Sequence, residues 1–269
     1  MIRPPAVAGR FYPSEPDKLT GQIEQFVSVA GSSDRVRALG CIVPHAGYVY
    51  SGHVAGAVYT SIEIPKKCVL LGPRHFPRGE PMSILTEGIF LTPLGEARID
   101  AELAAALAHE YPRLREDAVS HEHEHSLEVQ IPFLQYLAKD IQIVPVVLAT
   151  DRYGAVEELG RAVAKVVAAA REPVLVIAST DMNHYENDEV TRAKDGRAIE
   201  RILALDPRGL FDTVRSEGIT MCGYAATTAM LVAMRELGAS EARLVRYATS
   251  AGVSGDRERV VGYAGIVIR

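Results

Sequence analysis

Cys41-Ile-Val-Pro-His45-Ala-Gly-Tyr48 decides the fold. A short apolar run stops at Pro44, and a histidine and a glycine follow. Small and apolar residues then resume at helical spacing from Gly52 to Ile62, so the stretch predicts a strand, a turn and a helix packed on a sheet. Two later runs repeat the pattern. Residues 67–72 lead into Gly72-Pro-Arg-His75, and Val174-Leu-Val-Ile-Ala-Ser-Thr leads into Asp181-Met-Asn-His184. In an open α/β sheet, ligands bind in the crevice beyond the carboxyl ends of the strands, so His45, His75 and His184 are expected to converge at one edge.

Outward from these units the alternation continues. A lead-in from Pro4 to Pro13 precedes an amphipathic helix that starts near Ser14-Glu-Pro and runs to about Val29, ended by Gly31-Ser-Ser-Asp34. Strands are expected at 39–43, 67–72, 81–86, 141–149, 173–179, 242–249 and 259–268. Helices are expected at 98–109, 153–169, 188–204, 207–216 and 223–237. That order predicts a three-layer α/β/α architecture, its central sheet mainly parallel with antiparallel strands at the end. No repeat or low-complexity linker divides residues 1–269, and a single domain is expected.

Composition narrows the function. The chain has 269 residues, 48% of them hydrophobic and 23% charged, with a net charge of −5. No Lys or Arg block offers a footprint for nucleic acid or an anionic membrane, and neither is an expected partner. No apolar h-region opens the chain and no run of about 18 apolar residues occurs, so the expected location is the cytoplasm. Cys41, Cys68 and Cys222 are too few and scattered for a disulfide framework. Cys41 and Cys68 fall within apolar strands and read as small hydrophobes. Cys222, before an Ala-rich helix, sits where a thiolate is favoured and reads as a possible ligand.

Imidazole and thiolate are borderline-to-soft donors, so His45, His75 and Cys222 together suit Fe(II), Zn or Cu rather than Mg or Ca. Three protein ligands leave coordination positions open, as a catalytic metal requires. Asp181 and His184, three apart after a strand, are candidates to orient a ligand or to move a proton. Val119-Ser-His121-Glu-His123-Glu-His125-Ser126 alternates histidine with acid. It is open to two readings: a local metal clip on one side of an extended segment, or a solvated loop. Ser126 is a candidate N-cap for the apolar helix that follows, and His125, nearest that helix, is the histidine expected to face a site.

Pro44-His45-Ala-Gly-Tyr48, Leu71-Gly-Pro-Arg-His75, Thr92-Pro-Leu, Glu124-His125-Ser126-Leu-Glu128, Ser179-Thr-Asp181-Met-Asn-His184 and Cys222-Gly, with the opening Ala8-Gly-Arg-Phe-Tyr12, resemble the Memo family over essentially the whole chain. That family is similar in turn to the class III extradiol dioxygenases, non-haem iron enzymes of α/β fold. The resemblance implies His45, His75 and Cys222 as metal ligands with Asp181, His184 and His125 beside them, and Fe(II) as the metal with Cu or Zn as alternatives. Two functions follow from it: a metal-dependent oxidoreductase acting on a small molecule, or a non-catalytic module gripping a peptide or protein in the same cleft. The dioxygenases hold iron with two histidines and a carboxylate, whereas Cys222 stands in the carboxylate's place, a softer and oxidisable ligand. Arg74 also departs from the small residue common before the motif histidine, and its cation would attract an anionic group or repel a metal.

Overall fold

The structure, a computed structural model, describes residues 1–29 and 35–269. The expected helix stop at 31–34 lies outside the described residues. Four parallel strands form the centre: β2 (Gly40–Val43), β3 (Lys67–Pro73), β8 (Gln142–Leu148) and β9 (Val174–Ser179), in the order β8-β3-β9-β2. Their side chains are almost wholly buried, which explains continuous apolar runs in place of alternation. Antiparallel β12 (Val260–Ile268) covers the outer edge of β2, and both β10 (His184–Glu186) and β11 (Ala242–Thr249) pair with it. Beyond β8 lie β6 (Gly95–Ile99), β5 (Ile89–Thr92) and β1 (Ile2–Arg3), with β4 (Met82–Ile84) and β7 (Arg115–Glu116) to one side. Twelve strands are present among the described residues.

Helices cover both faces. A Cβ on Gly265 of β12 would strike Val58 of α2 (Tyr48–Thr60), whereas one on Gly40 of β2 would strike Met234 of α9 (Tyr224–Glu236). Because Ile42 pairs with Ile266, the two glycines face opposite sides of the sheet. α1 (Pro16–Val29) and α5 (Ile131–Leu137) join the α2 layer, and α6 (Tyr153–Ala169) and α8 (Pro207–Ser216) join α9. α7 (Asp188–Leu203) packs by the C-terminal strands, capped by Asn187. This is the expected three-layer α/β fold with a mixed sheet. No helix among the described residues is long and apolar enough to cross a membrane.

Several boundaries differ from expectation for local reasons. The helix expected from Arg98 is α3 (Ala101–Glu110); Arg98 and Ile99 belong to β6, and Asp100 caps α3 by accepting from Leu103 N–H. α2 begins at Tyr48, directly after the His45 turn, rather than at Gly52. Ser126 is no N-cap: its hydroxyl donates to Pro73 O at 2.9 Å, and the next helix begins as a 3-10 turn at Glu128. Residues 121–125 are not one extended segment, because His121 and Glu122 lie in the helical turn α4 (Val119–Glu122).

Candidate metal centre

Loops after the carboxyl ends of β2, β3 and β9 deliver His45, His75 and Asp181 to one cavity of about 620 Å³, which His184 at the start of β10, Phe11, His125 and Cys222 also line. The convergence expected from sequence is present. One donor atom each of His45, His75 and His125 lies within 4.8 Å of the others. Cys222 Sγ is 3.3 Å from His45 Nε2, so it touches this cluster while standing outside the group of three mutually close donors. His125, expected beside the ligands, thus joins the donor cluster itself. His121 and His123 diverge from it. His121 is buried and meets the Ser83 hydroxyl at 3.1 Å, and His123 is exposed against Phe76. The local clip does not form, because α4 turns these side chains to different sides.

A buried polar chain sets the face that His45 presents. Tyr59 O–H donates to Gln130 Oε1, and Gln130 Nε2 donates to Pro44 O at 3.0 Å and to Ser179 Oγ at 2.8 Å. Pro44 O only accepts, which fixes the amide's orientation. Ser179 Oγ spends its proton on Ser126 O at 2.6 Å, so toward His45 Nδ1, 2.9 Å away, it must accept. His45 therefore carries its proton on Nδ1 and turns a bare Nε2 to the cavity. His75 is held likewise: its Nδ1 donates at 2.9 Å to Glu124, a 2% exposed carboxylate that also accepts from Ser126 N–H and His75 N–H. His184 donates from Nδ1 to Thr220 O at 2.8 Å. A carboxylate, hydroxyl or carbonyl on the remote ring nitrogen is how metal-ligating histidines are oriented.

Burial, then the neighbouring His75, holds His45 far below the usual histidine range, and burial followed by the charge of His45 brings His125 to about 4. Both rings are neutral at neutral pH, with lone pairs available. Burial also pulls His75 down, but the hydrogen bond and charge of Glu124 outweigh it and raise it overall. Glu124 lies at about 2: burial would raise it, and the hydrogen bond and charge of His75 with the charge of His125 prevail. Burial and then Asp181 push the Cys222 thiol up, so that without a cation it stays protonated. Asp181 N–H nevertheless donates to Sγ at 3.2 Å, a bond that favours a thiolate once a metal supplies the charge. Asp181 is itself raised by burial, and its carboxylate braces the turn by accepting from His45 N–H at 2.8 Å and Ala46 N–H at 3.3 Å.

Further groups had no role assigned from sequence. Arg3, 1% exposed, donates to His121 O, Glu124 O and Glu128 Oε2, while Glu128 also accepts from Ala6 N–H, Val7 N–H and Tyr12 O–H. This fully bonded buried pair ties residues 3–12 to the loop bearing Glu124 and His125. Gly223 lets α9 begin close against β9, since a Cβ there would stand 2.5 Å from Ser179 O. The acids around His125 in Glu124-His125-Ser126-Leu-Glu128 were the available signal for Glu124 and Glu128. Nothing local marked Arg3, Ser179 or Gln130.

An α/β sheet with converging imidazoles at the carboxyl ends of its strands defines a protein with a metal-capable cleft. A profile described as Memo-like protein matches residues 3–267. The chain belongs to the Memo family. It is 41% identical to a MEMO1 family protein of Methanopyrus kandleri, over all of this chain and 99% of that one. It is also 41% identical to one of Methanothermobacter thermautotrophicus, over 98% of this chain and 99% of that one. Among solved structures, an uncharacterized protein of Escherichia coli K12 shares the fold with a TM-score of 0.53 at 14% identity, covering 85% of this chain and 99% of that one.

Proposed function

We propose that the cleft is the active site of a metal-dependent oxidoreductase, with His45, His75 and Cys222 as ligands and Fe(II) as the native metal ahead of Cu or Zn. The observation that carries this reading is the packing of three imidazole donors within 4.8 Å, with His45 and His75 tied through Nδ1 so that bare Nε2 atoms remain. Lone pairs gathered this closely repel one another unless a cation lies between them, so the residues fit a metal. Imidazole and thiolate select a transition metal over Mg or Ca. When bound, Fe(II) would supply Lewis acidity and one-electron redox chemistry at positions the protein leaves open.

The chain's own groups do the rest. Ser179 and Glu124 orient the ligand rings, and Asp181 N–H prepares Cys222 for deprotonation. His184, fixed on Thr220 O through Nδ1, lines the same cavity and suits proton transfer with a bound molecule. Phe11 meets the His125 ring edge-on at 4.8 Å, so one wall excludes water. The rings of His75 and His125 are stacked, 27° from parallel, whereas His45 stands at 81° to His75. The family resemblance supplies Cys222, 3.3 Å from His45 Nε2, as the third ligand, and His125, whose donor lies within 4.8 Å of the other two rings, faces the positions left open. Metal analysis after purification without added metal, paired with an anaerobic Fe(II) titration, tests the reading. His45→Ala, His75→Ala and Cys222→Ser should lose bound metal while His125→Ala retains it; unchanged metal in both His45→Ala and His75→Ala would sink the site.

A second reading, a peptide-gripping module with no catalysis, is favoured by Tyr185. It lines the same cavity, is 65% exposed and holds a left-handed backbone (φ 63°), which presents an aromatic ring outward at some cost.

A further inference from the structure

The cation at Arg74 does not face the histidines. It lines an adjoining cavity of about 350 Å³, and Cys222 is the one residue common to the linings of the two cavities. Arg74 Nη1 donates to Arg78 O and Gly79 O, which occupies that end of the guanidinium. Its Nε–H is buried with no partner, and no carboxylate pairs with Arg74 among the described residues. The unused edge, Nε with Nη2, is the fork that binds a carboxylate or phosphate through two parallel hydrogen bonds. The Nε–H is shut off from solvent as it stands, so the two-bond grip requires the guanidinium to turn toward the cavity as the anion enters, and the unpaired N–H favours that turn. The one acid lining the cavity, Asp151, has its own cation, Arg215, at 3.5 Å. Tyr224 and Ala225, the first residues of α9, complete the wall, and no side chain caps that helix start, so its field has the same sign as Arg74.

We propose that this second cavity is an oxyanion subsite: Arg74 holds a carboxylate or phosphate of a molecule whose other end lies past Cys222 against the histidines. That second half rests on the metal-centre reading; the anion site does not.

Calorimetric titration with inorganic phosphate and with acetate, at constant ionic strength, tests the site in the wild-type protein, Arg74→Gln and Arg74→Lys. Saturable binding of at least one probe is expected, weakened about tenfold or more in Arg74→Gln and less in Arg74→Lys, which keeps charge but not the fork. The tighter probe names the group. No saturable binding in the wild type, or equal binding in Arg74→Gln, overturns the proposal. Adjacency is read on metal-free protein, at raised pH and long reaction times because the thiol there stays protonated, from the alkylation of Cys222 by anionic iodoacetate relative to neutral iodoacetamide. The ratio should fall several-fold in Arg74→Gln, and phosphate should slow iodoacetate alone; a ratio indifferent to Arg74 also overturns it. Metal content, assayed in parallel, keeps the two readings separate. Anion binding in a protein that never takes up metal would refute the metal centre and leave the anion site standing.

Discussion

Replacing Glu124 by Gln tests whether the carboxylate is the brace of His75. The carboxyl lies at about 2 against an ordinary 4.5, a displacement worth about 3 kcal/mol at 1.36 kcal/mol per unit. A folded value below the unfolded one means that this stabilisation is present above about 4.5 and is lost as pH falls through about 2. At the other limit His75 is raised, so its share of the pair is present below the ordinary histidine value and is lost as pH rises through the folded one. Gln has one acceptor oxygen, whereas Glu124 accepts from three N–H donors through both of its own. One donor is left facing an amide N–H, a loss of about 1–3 kcal/mol. Glu124→Gln should therefore lower unfolding free energy by about 3 kcal/mol near pH 5.5, measured in urea. The gap to wild type should narrow as pH is lowered from about 4.5 toward about 2. Metal affinity should drop about 10- to 100-fold, the usual effect of removing a partner of a ligating histidine. Parallel pH profiles for the two proteins, or a loss below about 0.5 kcal/mol, would refute the brace.

Two more outcomes are expected. Asp195, raised to about 6 by burial, accepts from Asn183 N–H and Tyr247 O–H. A raised acid costs stability as pH rises through its folded value, so Asp195→Asn should gain on wild type by up to about 3 kcal/mol between about pH 4 and pH 7; a pH-independent difference in denaturant titrations would exclude this. Gly223→Ala should push α9 off the end of β9, displace Cys222, and lower both thermal stability, by about 1–3 kcal/mol, and metal content; a variant indistinguishable from wild type in both would show that the close approach is not needed.

The strand-turn-histidine units were legible because each is local: an apolar run, a breaker and a polar loop within ten residues. The parallel centre, β11, β12 and α6 through α9 followed from periodicity alone. β5 and β6 were not foreseen, since short strands around Thr92-Pro-Leu are half-exposed and lack a continuous apolar run. The helical turn at 119–122 was missed because a histidine-acid alternation has no apolar face to set its period. In the site, His45, His75, Asp181, His184 and Cys222 were identifiable as polar residues at element ends. Arg3, Gln130 and Ser179 were not, because their roles depend on partners 49 to 134 positions away, a separation invisible to any local pattern. His125 was placed beside the ligands, but only tertiary packing put its ring within reach of the other two.

The position of β2 also bears on the order of assembly. The strand that delivers His45 is enclosed by β9 on one side and β12 on the other, and Ile42 pairs with Ile266, about 220 residues downstream. During synthesis the His45 turn leaves the ribosome early, yet neither flank of its strand exists until most of the chain has followed. Arg3 waits in the same way for Glu128. The cleft is consequently one of the last features to take shape, and metal uptake belongs to the finished fold rather than to the nascent chain. Ribosome-tethered chains halted before β12 should not protect residues 40–48 from protease, with or without Fe(II); protection at that length would contradict this order.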